Sequence, residues 1–158
     1  MSNDVETDDK TQELVYNRTH KGCWEGIQMQ EIYRLMHDLG IRRTYQGYYH
    51  LSTAIRLVVE KEERLLYIHK WLYEEVASLH HTTSSCVERN IRTVKTLYWN
   101  RGDHSILSKM AGCQITEKPS NSEFIDILSC YVKEHAQEKD TDRQAINEGL
   151  LCLHLFAP

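Results

Sequence analysis

TTSSCVERNIRTVKTLYWNRG, residues 82–102, is the stretch on which the reading of this chain turns. Val87, Ile91, Val94 and Tyr98 recur at offsets of four, three and four, the apolar stripe of a helix that packs one side on a core. Glu88, Arg89, Arg92 and Lys95 are expected to point away from that core. Immediately upstream, EVASLHH (75–81) supplies a shorter helical segment, in which Val76 faces inward and Ala77 is small enough for a second helix to cross closely. Ten residues separate Ala77 from Val87. That is the spacing of a helix-turn-helix, whose second helix presents its N-terminal residues to base edges in the major groove of DNA.

On this reading Thr82 to Ser85 form the turn and the start of the second helix. Ser85 and Glu88 match the S-x-x-E capping box, in which a hydroxyl and a carboxylate each satisfy an otherwise unpaired N–H. Glu88 therefore has two readings, helix cap or base contact, and they do not exclude one another. An isolated arginine on a helix is usually part of a solvated face. Arg89 and Arg92 sit on the first two turns after the bend, where groove geometry favours contact with DNA.

A chain of 158 residues with 41% hydrophobic content can bury one proper core, which predicts a single domain with tails. Two prolines and seven glycines, set among Leu, Ile, Glu, Lys and Arg, predict mostly helix. No segment approaches the roughly 18 consecutive apolar residues of a membrane-spanning helix. The acidic, polar start MSNDVETDDK is unlike a secretory signal peptide, so a cytoplasmic location is expected. Five cysteines, at 23, 86, 113, 130 and 152, are odd in number and include no C-x-x-C pair, which is read as reduced thiols.

The net charge of −4 opposes a polyanionic partner only until it is divided along the chain. Residues 1–31 and 119–158 each carry three basic and seven acidic side chains, whereas residues 82–118 carry six basic and three acidic. The positive charge thus sits on the section proposed to read DNA, and local field governs phosphate binding more than the total does. The acidic ends either keep the protein soluble or weaken and gate DNA binding.

Read for organisation, residues 1–26 form an acidic leader with few apolar anchors beyond Trp24. A first helix is expected over Gln28–Leu39, with Ile32, Leu35, Met36 and Leu39 on one face and Gly40 as its stop. A second runs from Gln46 or Tyr48 to Glu60 and a third from Glu62 to Tyr73, followed by the helix-turn-helix. Ser105–Met110 gives a short helix ending at Gly112, and Glu123–Glu134 another, with Phe124, Ile127, Leu128 and Tyr131 or Val132 on its apolar face. Ser120, Asn121 and Ser122 are all good N-caps for it. Beyond Gln137 the charged EKDTDR stretch is expected to be a linker leading to a short apolar tail, Ala145–Phe156.

GYYHLSTAI (47–55), TTSSCVERNIR (82–92), WNRG (99–102) and KPSNSEFI (118–125) resemble the C-terminal DNA-binding domain of the sporulation response regulator, stage 0 sporulation protein A. The resemblance runs from about Ile27 to Glu134, in order and with matching spacing over most of that span. It implies an all-helical domain of six helices around a helix-turn-helix that binds short boxes upstream of sporulation genes. It further implies that Glu88 and Arg89 contribute to base reading, that Arg92 supports DNA contact, and that the segment from Lys118 to Ser122 lies near the DNA backbone. The chain departs from the family pattern in four places. About 26 residues precede the domain, too few for the family's phosphorylatable receiver, so control by a histidine kinase is not expected. Cys86 stands where the family typically has a base-reading arginine, and one bidentate Arg to guanine contact discriminates by roughly 1–3 kcal/mol, so sequence preference is expected to be relaxed or altered. His80 replaces an aromatic core residue, and the loop from Gly112 to Lys118 is shorter than usual.

Other chemistry is poorly supported. His80, His81 and Cys86 are zinc-ligand types, but adjacent histidines point in different directions and no fourth ligand stands at a recognised spacing. Cys86 beside Arg89 has a redox-sensor reading, for which a small polar helix residue is the simpler alternative. No G-x-S-x-G, P-loop, Rossmann fingerprint or paired-carboxylate motif is present, so no enzyme, catalytic residue, metal or cofactor is expected. The expectation is an all-α protein with a leader (1–26), a helix-turn-helix DNA-binding domain (27–136) and a linker with a short tail (137–158). Ser85, Cys86, Glu88 and Arg89 are expected to read bases in double-stranded DNA. Thr82, Thr83, Arg92, Lys95, Lys118, Ser120 and Asn121 are expected to contact or support the backbone. Contact with RNA polymerase and pairing of two copies on tandem sites are left open, and no membrane partner is expected. The alternative reading is a protein-interaction module that sequesters a partner without specific DNA binding.

Overall fold

Ile32, Leu35, Met36 and Leu39 are each no more than 1% exposed, so the first apolar stripe does what its spacing predicts. A computed structural model describes residues 29–154, with side chains at 29–139, 141 and 142; the leader lies outside the described residues. Helix α1 spans 29–38. It stops at Gly40, whose φ of 62° favours a residue without a Cβ, and Ile41 N–H closes back on Met36 O at 2.9 Å.

Helix α2, Gln46–Glu60, is the central element, packed on both α4 and α6, which are defined below. Tyr48, Leu51, Ala54, Ile55, Leu57 and Val58 are all buried, and the crossing with α4 passes over Gly47. A Cβ at that position would lie 2.3 Å from Asn90 O and 2.6 Å from Val94 Cγ1. Backbone contact this close is what the glycine permits.

The helix expected over 62–73 does not form as one piece. Glu62–Leu65 is a 3₁₀ turn, the chain breaks at Leu66 and Tyr67, and Ile68–Tyr73 winds as a π-helix directly into α3, Glu74–Leu79. The side chains account for the break. Arg64 donates to Leu57 O at 2.5 Å and forks onto the Glu75 carboxylate at 2.8 and 3.0 Å, folding the 3₁₀ turn back against α2 and α3. Leu66 and Tyr67 are 72% and 59% exposed, so no core contact holds a straight helix through them. The wider π winding instead brings the sequence neighbours Leu72 and Tyr73 inside together, in line with Val76 and Ala77.

Helix α3 ends at His80, and the chain reverses at His81, which has a φ of 51°. Thr82 N–H returns to Ala77 O at 2.9 Å, a left-handed helix stop built on a histidine rather than a glycine. Helix α4, Ser84–Trp99, follows, buried along Val87, Ile91, Val94, Lys95 and Tyr98. Helix α5, Ser105–Ala111, plugs Leu107 into the core and stops at Gly112, φ 66°.

Helix α6, Asn121–His154, runs on where a linker was expected after residue 136. QEKDTDRQ contains neither Gly nor Pro, so a charged run of this kind continues a solvated helix as readily as it forms a coil. The core side of α6 is Phe124, Ile125, Leu128, Val132 and Ala136, all fully buried, and beyond it Lys139 pairs with Glu31 of α1. The described residues are thus all-helical, six α-helices around one core, the class and number that the family resemblance implies.

Candidate nucleic-acid interface

Helices α3 and α4, joined by the reversal at His80–Thr83, place the N-terminal turns of α4 at the surface. Thr83 caps α4, its hydroxyl accepting from Cys86 N–H at 3.3 Å. The cap therefore falls two residues before Ser85, and the expected Ser85–Glu88 capping box does not form. Glu88 instead accepts from Arg92 at 2.8 Å one turn on. This is the favourable i, i+4 orientation of a carboxylate ahead of a cation. The first turn of α4 carries no acidic residue, so the positive end of the helix dipole is not neutralised within the element.

The four expected base readers fall into two environments. Ser85 and Arg89 are exposed, and Arg89 makes no side-chain hydrogen bond or ion pair among the described residues. Cys86 and Glu88 are half-buried on the flanks, with Cys86 Sγ accepting from Asn90 Nδ2 at 3.7 Å. Arg89 borders a shallow groove of about 310 Å³ shared with Arg92, Thr93, Thr96 and Leu97. The last three were missed by sequence reasoning. Their offsets of four, seven and eight from Arg89 are a signal that they share its face.

The backbone-supporting set is less uniform than expected. Thr83 and Arg92 are exposed, Thr82 is half-buried, and Lys118 is exposed while donating to Thr96 Oγ1 at 2.8 Å, which carries the 118–121 segment along the outer face of α4. Lys95 does not point away from the core. It is 5% exposed, and its ammonium donates to Pro119 O at 2.8 Å. Burial, followed by the nearby Lys118 and Arg92 charges, lowers its pKa. The missed signal is that Lys95 lies four residues after Ile91, on the buried stripe.

Ser120 and Glu123 form a reciprocal capping box at the start of α6. Ser120 N–H donates to Glu123 Oε2 at 2.7 Å, and Glu123 N–H to Ser120 Oγ at 3.2 Å. The bond from Ser120 N–H, followed by one from the Ser120 hydroxyl, holds the Glu123 carboxyl below its usual pKa. Asn121 donates to Tyr73 Oη at 3.2 Å, and its Oδ1 is buried without a partner. Lys95 and Asn121 therefore hold the segment against α4 and the π-helix, Ser120 caps α6, and Lys118 is the segment's exposed cation.

A polar network lies beneath the N-terminal half of α4. His50 of α2, 4% exposed, meets His80 edge to face at 4.9 Å and lies 3.3 Å from Asn90 Nδ2. His80 Nε2 is 2.8 Å from Thr53 Oγ1. Both imidazoles are held below the usual histidine pKa, mainly by burial, and next by the neighbouring imidazole, His80 for His50 and His81 for His80. His80 thus takes a polar place in the seam between α2 and the turn. Among the described residues no three His, Cys, Asp or Glu side chains converge on a point that could hold a metal, and Cys86, Cys113 and Cys130 are unpaired thiols.

An all-helical scaffold with a helix-turn-helix, an α4 N-terminus that the other described residues leave open and a cationic outer face defines a DNA-binding domain of the transcription-regulator class. Residues 32–132 match the family model described as Sporulation initiation factor Spo0A C terminal, and the chain belongs to that family. Among the described residues no helix is long and apolar enough to cross a membrane.

Proposed function

We propose that the chain binds double-stranded DNA sequence-specifically, with the first two turns of α4 in the major groove and Lys118 and the Thr82–Thr83 turn toward the flanking phosphates. The observation that carries this reading is Arg89, an exposed and unpaired guanidinium on the second turn of the second helix. Ser85 stands one turn before it. Cys86 and Glu88 border the same end, and Glu88 holds Arg92 in the free protein, so reaching a phosphate with Arg92 exchanges one ionic partner for another. Regulation of transcription follows from occupying boxes of the family type.

Fluorescence anisotropy of the protein against family-type box DNA and a scrambled duplex, at two salt concentrations, tests the reading. Preference for the box with steep salt dependence is the expected outcome. Arg89→Ala is expected to reduce box discrimination by roughly 1–3 kcal/mol, with an unchanged circular dichroism melt. Equal binding to both duplexes removes the specificity, and no binding to either leaves the protein-interaction reading. Titration against tandem boxes reports by stoichiometry whether two copies pair there.

A further inference from the structure

A second cationic site lies at the far end of α4 from the DNA-reading turns. Arg101 follows that helix, and α4 is 16 residues long, so about 24 Å of helix separates this site from the first turn. The α1–α2 connection folds over Arg101 and leaves a cleft of about 700 Å³, lined among others by Tyr33, His37, Arg42, Arg43, Tyr48 and Arg101. None of the described residues that line it is acidic. Helix α2, which starts beside it, has no acidic residue in its first turn and no side-chain cap.

Each guanidinium is held differently. Arg101 donates to Leu39 O at 3.0 Å and to Gly40 O at 2.8 Å, covering the carbonyls at the end of α1 that would otherwise repel an anion. Arg43 lies over the rings of Tyr33 and Tyr48, at 5.2 and 5.8 Å from their centroids, and donates from Nε to Tyr48 Oη at 3.3 Å. Among the described residues its two terminal nitrogens have no partner. The exposed Arg42 side chain makes no hydrogen bond or ion pair among the described residues. Asp38 does not line the cleft; it lies 3.4 Å from His37 Nδ1, on the exposed side of α1.

We propose that this cleft binds a phosphorylated small molecule of nucleotide size, separately from the DNA face. Arg42 and Arg43 offer charge-assisted donors to the phosphoryl oxygens, and Arg101 adds fixed positive charge at the rim. The ring of Tyr33, stacked parallel to Tyr48 at 6.5 Å and 42% exposed, offers an aromatic face for the remainder of the ligand. The volume is within the range of sites that hold such molecules, roughly 300–1,000 Å³.

Calorimetric titration of the full chain at about 0.15 M salt, where diffuse attraction is screened, tests this with ADP, pyrophosphate and adenosine as probes. Saturable ADP binding is expected, with pyrophosphate binding more weakly and adenosine not at all. Arg42→Gln, at a side chain that holds nothing in place, is expected to weaken ADP about tenfold, and Arg42→Gln with Arg43→Gln to abolish it. The salt dependence of DNA binding should be the same in both variants as in the parent. Absence of saturable binding to ADP and pyrophosphate overturns the proposal, as does ADP binding unchanged in Arg42→Gln. A reduced salt dependence of DNA binding in Arg42→Gln assigns this arginine to the duplex and overturns it as well.

Discussion

His50 and His80 join the turn of the helix-turn-helix to the helix behind it, and both are held below the ordinary histidine pKa by burial. The unfolded chain therefore takes up protons at a higher pH than the native protein does. Stability from this pair is fully present above about pH 6.5 and is lost as pH falls below that value toward the lowered native pKa. Urea unfolding across pH 5 to 7.5 should show the midpoint falling on the acid side, and His50→Gln should flatten that fall; an unchanged slope in the variant would place the titrating group elsewhere. The groups facing the pair are Thr53 from α2, His81 from the turn and Asn90 from α4, none of them an acid that would stabilise the protonated form. Individual residues were legible in sequence where their role is local. Arg89 falls on an exposed face by periodicity alone. Lys95 was misread because charge was taken to outweigh its place on the buried stripe, and the chain offers it Pro119 O, an acceptor 24 positions away.

At the level of elements, α2 sets the position of α4. Their crossing is close because residue 47 has no side chain, and the nearest obstacle to a Cβ there is the Asn90 carbonyl, which cannot rotate out of the way. Gly47→Ala is therefore expected to destabilise the fold by about 1–3 kcal/mol and to weaken box binding beyond that loss, since relief of the clash tilts α4. Denaturant midpoints and anisotropy on the same preparation check both effects, and a variant as stable as the parent would show that the helices have room to separate. Helices α1, α2 and α5 were anticipated within a residue or two and α4 within the run 82–102, because each carries its own apolar period. The segment 62–73 was not. Its break depends on Arg64 finding Leu57 O and Glu75, and its π winding on bringing Leu72 and Tyr73 inside together, and neither is a local propensity.

For the whole molecule, α6 ties back to α1 through Lys139. Glu31 is 5% exposed and is paired with Arg34 at 3.4 Å and with Lys139. Removing Lys139 leaves a nearly buried carboxylate with a largely solvated partner, so Lys139→Ala should cost about 1–2 kcal/mol in chemical denaturation while Lys139→Arg retains most of the stability. Equal midpoints for all three proteins would make the pair a surface contact without weight. The overall architecture also separates two cationic regions, the outer face of α4 and the arginine cleft beyond its C-terminus, in a chain whose net charge is −4. By itself the sequence determined the all-helical class, the ten-residue spacing of the helix-turn-helix and the family resemblance, because periodicity, stop residues and motif spacing are properties of neighbouring positions. Only the tertiary structure decided which polar groups are spent inside the protein and which remain for a ligand. Lys95 and Asn121 became supports and, among the described residues, Arg89 and Arg42 were left unpaired, since burial and partner choice depend on what distant segments bring to the same place.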